Sequence, residues 1–231
     1  MAFILLLNQV DTALPVLLAA SRPARRGFSL SRPGLRSGEP GRLATWEKES
    51  GLTWAGIGRS GLAGALVGGE AGVIPREADL LSRALACSTP REGAGRCIGS
   101  ERWREIAPFR LVLAGAGEAW LVEGREEITS RELSRSSTLL GAEDGEVRPC
   151  PPGIPSPAAA GLATGERVAR LEAALAGGAP GTGEAPGASP AAVILGLAPG
   201  RPLAGRFLFR PAADAGGRML DYSNLLRRLR R

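Results

Sequence analysis

Hydrophobic and polar positions near the start of the chain fall in blocks that predict two adjacent strands. The runs Phe3-Ile4-Leu5-Leu6-Leu7 and Pro15-Val16-Leu17-Leu18-Ala19-Ala20-Ser21-Arg22-Pro23 are short, apolar and rich in branched side chains, which is typical of strands buried on both faces. The polar segment between them has the length of a hairpin connection. The pattern therefore predicts a hairpin of two central strands with its turn at Asn8 to Leu14.

The same periodicity predicts further strands along the chain. Thr53–Gly58 and Leu62–Val67 are joined by a tight turn through Arg59, Ser60 and Gly61. Residues 43–54 lead into the strand at Thr53, and residues 128–140 extend the meander that begins at Arg110. The other predicted strands are Arg110 to Ala114, Ala119 to Glu123, Ile128 to Ser134, Ser137 to Leu140, Ala192 to Gly196 and Gly205 to Arg210.

Helical spacing is clearest in two segments. Pro75 to Cys87 opens with proline and acidic residues and then repeats apolar side chains on one face, and Gly165 to Ala176 ends at a glycine pair. Glu101 to Ile106 is predicted as a short turn or helix, 25–41 and 88–99 as loops, and 179–190 as a Gly/Pro/Ala-rich linker. The predicted order along the chain is strands, a helix, strands, a second helix and strands. This order indicates one α+β domain over the 231 residues.

A glycine pattern, Gly56-x-Gly58-x-x-Gly61, matches the dinucleotide-binding fingerprint. That loop leaves a strand and opens a helix, with an acidic residue about 20 positions on. Here Leu62 to Val67 continues as an apolar, glycine-broken stretch. The pattern therefore favours a hairpin over a phosphate loop.

Charge and composition bear on partners. The net charge is +6 and the pI about 10.4, but the basic residues are nearly all arginine and are interleaved with acids, as in Arg125-Glu126-Glu127. Abundant Ala, Gly, Pro and Arg reflect GC-rich codons, so the arginines indicate a solvated surface and no nucleic-acid partner. The segment Asp221 to Arg231 is an amphipathic basic tail. It could contact acidic lipids or RNA, or it is a terminal helix whose arginines complement the helix dipole.

Cysteine and histidine usage narrows the chemistry further. Cys87, Cys97 and Cys150 are odd in number and widely spaced, which argues against a disulfide framework. The chain has no histidine, so zinc hydrolase chemistry and Ser-His-Asp catalysis are excluded.

No apolar run reaches the about 20 residues of a membrane span, and Asp11 and Pro15 interrupt the N-terminal apolar stretch where a signal peptide needs a continuous core. These features predict a cytoplasmic protein.

Three segments in order resemble the NRDE family, also called the transport and Golgi organisation protein 2 family. The family motif Asn-Arg-Asp-Glu follows Leu-Ala-Ala, and here Leu18-Ala19-Ala20 precedes Ser21-Arg22-Pro23-Ala24. The family's Gly-Thr-Trp-Leu-Gly segment is similar to Leu52-Thr53-Trp54-Ala55-Gly56, and a Pro-Phe-Asn-Leu strand is similar to Pro108-Phe109-Arg110-Leu111. The resemblance covers roughly the first half of the chain.

The resemblance implies a fold and a lost reaction. It implies the αββα sandwich of N-terminal nucleophile (Ntn) hydrolases, two antiparallel sheets flanked by helices. In that family, residue two is a cysteine whose thiol attacks and whose α-amine is the base. Here residue two is Ala2, and the acidic pair of the motif has become Pro23 and Ala24. The resemblance therefore implies a scaffold released from hydrolysis.

The first functional hypothesis is a non-catalytic protein with a small-ligand pocket lined by Phe3, Ser21, Arg22, Trp54 and Arg76. The family's roles imply haem as the ligand, and Arg22 would hold a carboxylate or propionate, or else form a salt bridge that ties down its loop. Cys150-Pro151 could supply a thiolate for haem, although a chance Cys-Pro in a chain with 18 prolines explains it too. The alternatives are an amide hydrolase that uses Ser21 as its nucleophile and a basic interaction module that uses the C-terminal tail.

Overall fold

The computed structural model of the chain describes residues 3–8, 16–22, 31–35, 41–68, 76–115, 117–134, 137–141, 147–149, 191–197, 206–209, 218–222 and 224–225. Within these ranges the structure is mixed, with antiparallel strands dominant and the helices few and short. The predicted α+β class is confirmed at this level.

The N-terminal hairpin forms the middle of a five-stranded sheet. Strands β1 (Phe3–Asn8) and β2 (Val16–Arg22) pair antiparallel, with Phe3 opposite Ser21 and Asn8 opposite Val16. The outer strands of this sheet are β10 (Ser137–Gly141), β11 (Val147–Pro149) and β12 (Ala191–Leu197), in the spatial order β11-β10-β1-β2-β12. Both hairpin strands are therefore central, as predicted, and the predicted turn lies largely outside the described residues.

A seven-stranded antiparallel sheet contains β3 to β9 in chain order, and a long connection, residues 69–108, separates β6 from β7 along the chain. Its strands are Gly34–Leu35 (β3), Arg42–Trp46 (β4), Thr53–Gly58 (β5), Ala63–Gly68 (β6), Phe109–Ala114 (β7), Ala119–Gly124 (β8) and Ile128–Glu132 (β9). The tight turn between β5 and β6 is confirmed. Gly58 N–H donates to Leu62 O at 2.7 Å, and Gly61 has a φ of 90°, which favours glycine.

The first predicted helix, Pro75 to Cys87, is wrong in extent. The chain instead forms a 3₁₀ turn, Arg76–Ala78, and then α1 (Leu80–Ala84). Asp79 causes the break because its carboxylate caps α1 through Ser82 N–H at 3.1 Å and accepts from both the N–H and the hydroxyl of Thr53.

The predicted loop at 88–99 is also wrong, because α2 (Pro90–Ile98) occupies most of it. Thr89 caps this helix by accepting from Glu92 N–H at 3.1 Å, and the Glu92 carboxylate reaches back to Ser88 N–H at 2.9 Å. A proline at the first helical position and this reciprocal capping stabilise a helix with weak apolar periodicity. The short element predicted at Glu101 to Ile106 is confirmed as the 3₁₀ helix Glu101–Glu105.

The end of the predicted meander is also wrong. Residues 128–132 continue it as β9, but β10 leaves it and pairs with β1, with Phe3 opposite Gly141. The late strands are confirmed as β12 and β13 (Arg206–Phe209), and β13 pairs with β14 (Arg218–Asp221), which was not predicted. Asp221 thus ends a strand, where a helical tail was predicted to begin.

Several predictions lie outside the described residues. They concern the helix at 165–176, the linker at 179–190, Cys150, and the tail beyond residue 225.

Two apolar layers join these elements. The inter-sheet layer lies between the two sheets and includes Ile4, Leu6, Leu18, Ala20, Leu43, Trp54, Ala55, Ile57, Ala63, Ala65, Val112, Ala114, Ala119 and Leu121. The helical layer lies on the other face of the seven-stranded sheet and includes Leu62, Leu66, Ala78, Leu80, Leu81, Leu85, Ala94, Cys97, Trp103, Leu111 and Leu113. The seven-stranded sheet is therefore covered on both faces, and the five-stranded sheet packs on it through β1 and β2.

Candidate functional site

One end of the five-stranded sheet brings three of the predicted site residues together. Phe3, the first residue of β1, lies opposite Ser21, and Ser21 lies opposite Ala192 on its other side. Arg22 is the last residue of β2 and lies opposite Ala191. Because β1 begins where β2 ends, the backbone positions of Phe3, Ser21 and Arg22 are neighbours at this end of the sheet.

Trp54 lies in the neighbouring layer, at an irregular point of the second sheet. Thr45 on β4 pairs with Ala55 of β5, and Trp46 pairs with Thr53, so Trp54 is an extra residue without a cross-strand partner on β4. Such a β-bulge redirects side chains. Trp54 and Ala55 consequently both point into the inter-sheet layer, whereas Thr53 points towards Asp79 beside α1.

The indole of Trp54 is fully buried, and its N–H is unsatisfied. The side chain has 0% relative exposure, and within the described part of the chain Nε1 has no hydrogen-bond partner. Leaving a buried donor unpaired costs about 1–3 kcal/mol. Trp54 was predicted beside a pocket. In the structure it is a buried member of the core.

The backbone of Arg76 lies far from Phe3, Ser21 and Arg22, on the other side of the seven-stranded sheet. It opens the 3₁₀ turn whose Ala78 is buried in the helical layer, across the seven-stranded sheet from β1 and β2. This placement does not support a shared site, and the role of Arg76 stays a prediction.

The glycine pattern at 56–61 has a packing role. A Cβ on Gly58 would overlap the carbonyl oxygen of Leu85, and one on Gly56 would lie 2.9 Å from a Leu85 methyl group. These glycines let α1 approach the sheet closely. Since the chain continues from Gly61 into β6, the rejection of a dinucleotide loop is confirmed.

The two described thiols are unsuited to nucleophilic chemistry. Burial raises the pKa of Cys97 to about 12, with a further increase from Cys87 and an opposing effect of Arg83. Burial also raises the pKa of Cys87, opposed by Arg96 and reinforced by Glu92. Neither cysteine forms a disulfide, and both are buried. They are protonated near neutral pH, so neither supplies a thiolate.

Buried and half-buried charged groups in the described ranges make structural contacts. Arg110 Nε donates to Glu123 at 2.8 Å across the β7–β8 pair, and Arg42 donates to Ser82 O at 2.6 Å, joining β4 to α1. No group of three or more Cys, Asp or Glu side chains within the described ranges is arranged to hold a metal. Among the helices that the structure describes, none is long and apolar enough to cross a membrane.

Sequence reasoning missed two polar side chains that shape this region. Asp79 joins β5 to α1, and its place just before the apolar run of α1 is an N-cap signal that could have identified it. Tyr222 donates its hydroxyl to Pro33 O at 2.8 Å and packs on the inter-sheet layer with Leu225. No local pattern indicates that contact, because its partners are far apart in the chain.

Comparisons with known proteins assign no family to the chain. No family model and no curated protein matches the chain. Among solved structures, it is similar to penicillin V acylase from Agrobacterium tumefaciens, at 20% sequence identity and a TM-score of 0.34. The similarity covers 57% of this chain and 49% of that one, so the chain spans about half the length of the acylase that it matches. This level of similarity assigns no activity.

Proposed function

We propose that the chain is a diverged NRDE-type protein that keeps an Ntn-hydrolase-like αββα scaffold and binds a small ligand without hydrolysing it. The observation that carries this proposal is the register of β1 and β2. Phe3 lies opposite Ser21, and Arg22 follows on the same strand. The start of β1 and the Ser21-Arg22 segment are thus neighbours at one end of the two central strands, which supports a pocket built on these residues.

The absence of catalysis is supported by the chemistry of the residues. The chain has no histidine, and Cys87 and Cys97 are buried thiols with raised pKa values. A hydroxyl nucleophile needs a nearby base to become reactive. Binding without turnover therefore suits this set of side chains best.

Arg22 gives the proposed ligand its chemistry. A guanidinium can hold a carboxylate by two parallel hydrogen bonds, which Lys cannot reproduce. Haem carries two propionates and is the ligand that we propose to test first. The Cys150-Pro151 dipeptide could supply a thiolate to the iron or could be a chance pairing, and a Cys150 variant distinguishes the two.

Haem titration followed by absorbance tests this proposal. We expect a shift of the Soret band with the intact protein, a loss of affinity of about tenfold or more in Arg22→Ala, and a changed band position in Cys150→Ala. Arg131→Ala is the matched control, because Arg131 is exposed on β9, and its titration should equal that of the wild type. An unchanged Soret band in the wild type would remove haem as the ligand.

The same register supports a second candidate function, amide hydrolysis by Ser21. Its backbone lies opposite Phe3, next to the position where the family carries its nucleophile. Acyl-amide substrates distinguish the two functions. Turnover that disappears in Ser21→Ala and persists in the exposed control Ser134→Ala would establish the hydrolase and overturn the non-catalytic proposal.

A further inference from the structure

The C-terminal segment that the structure describes connects the two large sheets. Strand β13 lies beside β12, the edge strand of the five-stranded sheet, and pairs with β14. Tyr222 directly follows β14, and its hydroxyl donates to Pro33 O at 2.8 Å. Pro33 immediately precedes β3, the edge strand of the seven-stranded sheet. The segment therefore reaches from an edge of one sheet to an edge of the other.

The acceptor of the Tyr222 hydrogen bond belongs to a stretch that is fixed on the seven-stranded sheet. Ser31 N–H donates to Trp46 O at 2.8 Å, and the Ser31 hydroxyl oxygen accepts from Trp46 N–H at 2.9 Å. The Thr45 hydroxyl donates to Ser31 O at 2.8 Å. These three hydrogen bonds hold the chain before Pro33 against β4, so Tyr222 is bonded to a part of the chain that does not depend on it for its position.

Tyr222 and Leu225 also bury apolar surface. Both side chains are half-buried and pack against the inter-sheet layer. Burial raises the pKa of Tyr222, with an opposing effect of Arg32, so the hydroxyl keeps the proton that it donates near neutral pH. One hydrogen bond and two half-buried side chains form a small attachment, of the kind that opens locally without global unfolding.

We propose that β13, β14, Tyr222 and Leu225 form a strap that fastens the two sheets together at their edges, and that the hydrogen bond from Tyr222 to Pro33 is its latch. The strap opens as a unit smaller than the whole domain, and it exposes apolar surface of the inter-sheet layer while it is open. This conformational device requires no ligand, so it stands independently of the proposed binding function.

Limited digestion with trypsin tests the latch. Arg218 lies on β14 opposite Phe209, and a paired strand must open before its peptide bonds are cut, so the rate of cutting reports the population of the open strap. Tyr222→Phe keeps the aromatic ring and removes the hydroxyl. We expect cutting after Arg218 to become about two- to tenfold faster, as the loss of one hydrogen bond predicts. Cutting after Arg125, which is exposed between β8 and β9, is the internal reference and should not change.

Ser60→Ala is the matched control for the latch. The Ser60 hydroxyl donates to Cys87 O at 2.8 Å, a hydrogen bond of the same kind and length, and Cys87 belongs to the helical layer on the other face of the seven-stranded sheet. Removing it should leave cutting after Arg218 at the wild-type rate. An Arg218 rate that is unchanged in Tyr222→Phe, or that rises equally in Ser60→Ala, would overturn the latch.

Two shortened chains test the strap itself. Deleting residues 222–231 removes both side chains that pack on the inter-sheet layer, whereas deleting residues 227–231 leaves Tyr222 and Leu225 in place. We expect the fluorescence of the apolar dye anilinonaphthalene sulfonate to rise severalfold with the first chain and to equal that of the wild type with the second. Equal dye fluorescence in the two folded chains would overturn the strap. If circular dichroism shows that the shorter chain is unfolded, the digestion of Tyr222→Phe decides instead.

Discussion

Asp79 is a single carboxylate that joins two layers of the molecule. It accepts from Thr53 N–H at 3.1 Å and from the Thr53 hydroxyl at 2.6 Å, and it caps α1 through Ser82 N–H. Asp79→Ala leaves the buried Thr53 N–H unpaired and removes the helix cap. We expect a loss of about 3 kcal/mol in the free energy of unfolding, measured by urea denaturation. Glu77→Gln, an exposed neighbour, is the control and should change it by less than about 0.5 kcal/mol.

Cys97 makes folding sensitive to alkaline pH. Its pKa rises from 9.0 in the unfolded chain to about 12 in the fold, chiefly through burial. A group whose pKa is raised contributes stability that is fully present below its unfolded pKa and is lost as the pH rises through the window from 9 to 12. Between pH 8 and pH 10, the wild type should lose about 1.4 kcal/mol more than Cys97→Ala. Equal losses in both proteins would contradict the raised pKa.

Residues of the candidate site differ in how far the sequence could predict them. The closeness of Phe3 to Ser21 follows from a local hairpin, whose register is set by two apolar runs. The extra residue at Trp54 could not be predicted, because a bulge is a mismatch between two strands and leaves no trace in the pattern of one strand. The 3₁₀ turn that contains Arg76 lies in the helical layer. Asp79 ends this turn before α1 begins, so the position of Arg76 depends on that cap.

At the scale of elements, α1 depends on a glycine in the strand beneath it. A Cβ on Gly58 would overlap the Leu85 carbonyl oxygen, and backbone atoms cannot give way as a flexible side chain can. Gly58→Ala should therefore lower the free energy of unfolding by about 3 kcal/mol or more.

Gly95 on α2 provides the matched substitution. Nothing lies within 4 Å of a Cβ at this exposed position, and alanine is the better helix former. Gly95→Ala should raise the free energy of unfolding by up to about 1 kcal/mol. Thermal melting measures the stability of both variants. A similar loss of stability in Gly58→Ala and Gly95→Ala would show that the contact with Leu85 is unimportant.

Elements with strong local patterns were predictable, and those held by capping or distant pairing were not. The strands β5 to β8 carry dense apolar runs that end at glycine turns, so their existence follows from the sequence. The helix α2 carries two glycines and three charged side chains in nine residues, and its apolar periodicity is weak. Thr89, Pro90 and Glu92 were the signal for it, through capping rather than hydrophobicity.

For the whole molecule, burial predicts an order of amide hydrogen exchange. Strands β6 and β7 lie between the two apolar layers and are buried almost throughout, whereas β9 is an edge strand with mostly exposed side chains. Amides of β6 and β7 should exchange only through global unfolding, and those of β9 through local opening. Mass spectrometry after deuterium labelling resolves the two groups, and faster exchange in β7 than in β9 would contradict the layered arrangement.

The arrangement of strands in the two larger sheets could be predicted only in part. Short turns join β5 to β6 and β7 to β8, so these two pairings follow from the sequence, whereas β6 pairs with β7 across a connection that contains α1 and α2. The departure of β10 to pair with β1 is a contact between distant parts of the chain, and no local signal near Ser137 distinguishes it from another meander strand.

The chain order of the two sheets has a consequence for synthesis on the ribosome. The seven-stranded sheet comes from one continuous stretch, so it can close soon after Glu132 has emerged. The hairpin β1–β2 is made first but gains its flanking partners only after Gly141 and Leu197 have been translated. During that interval the nascent chain displays two apolar strands with open edges, the kind of surface to which chaperones bind.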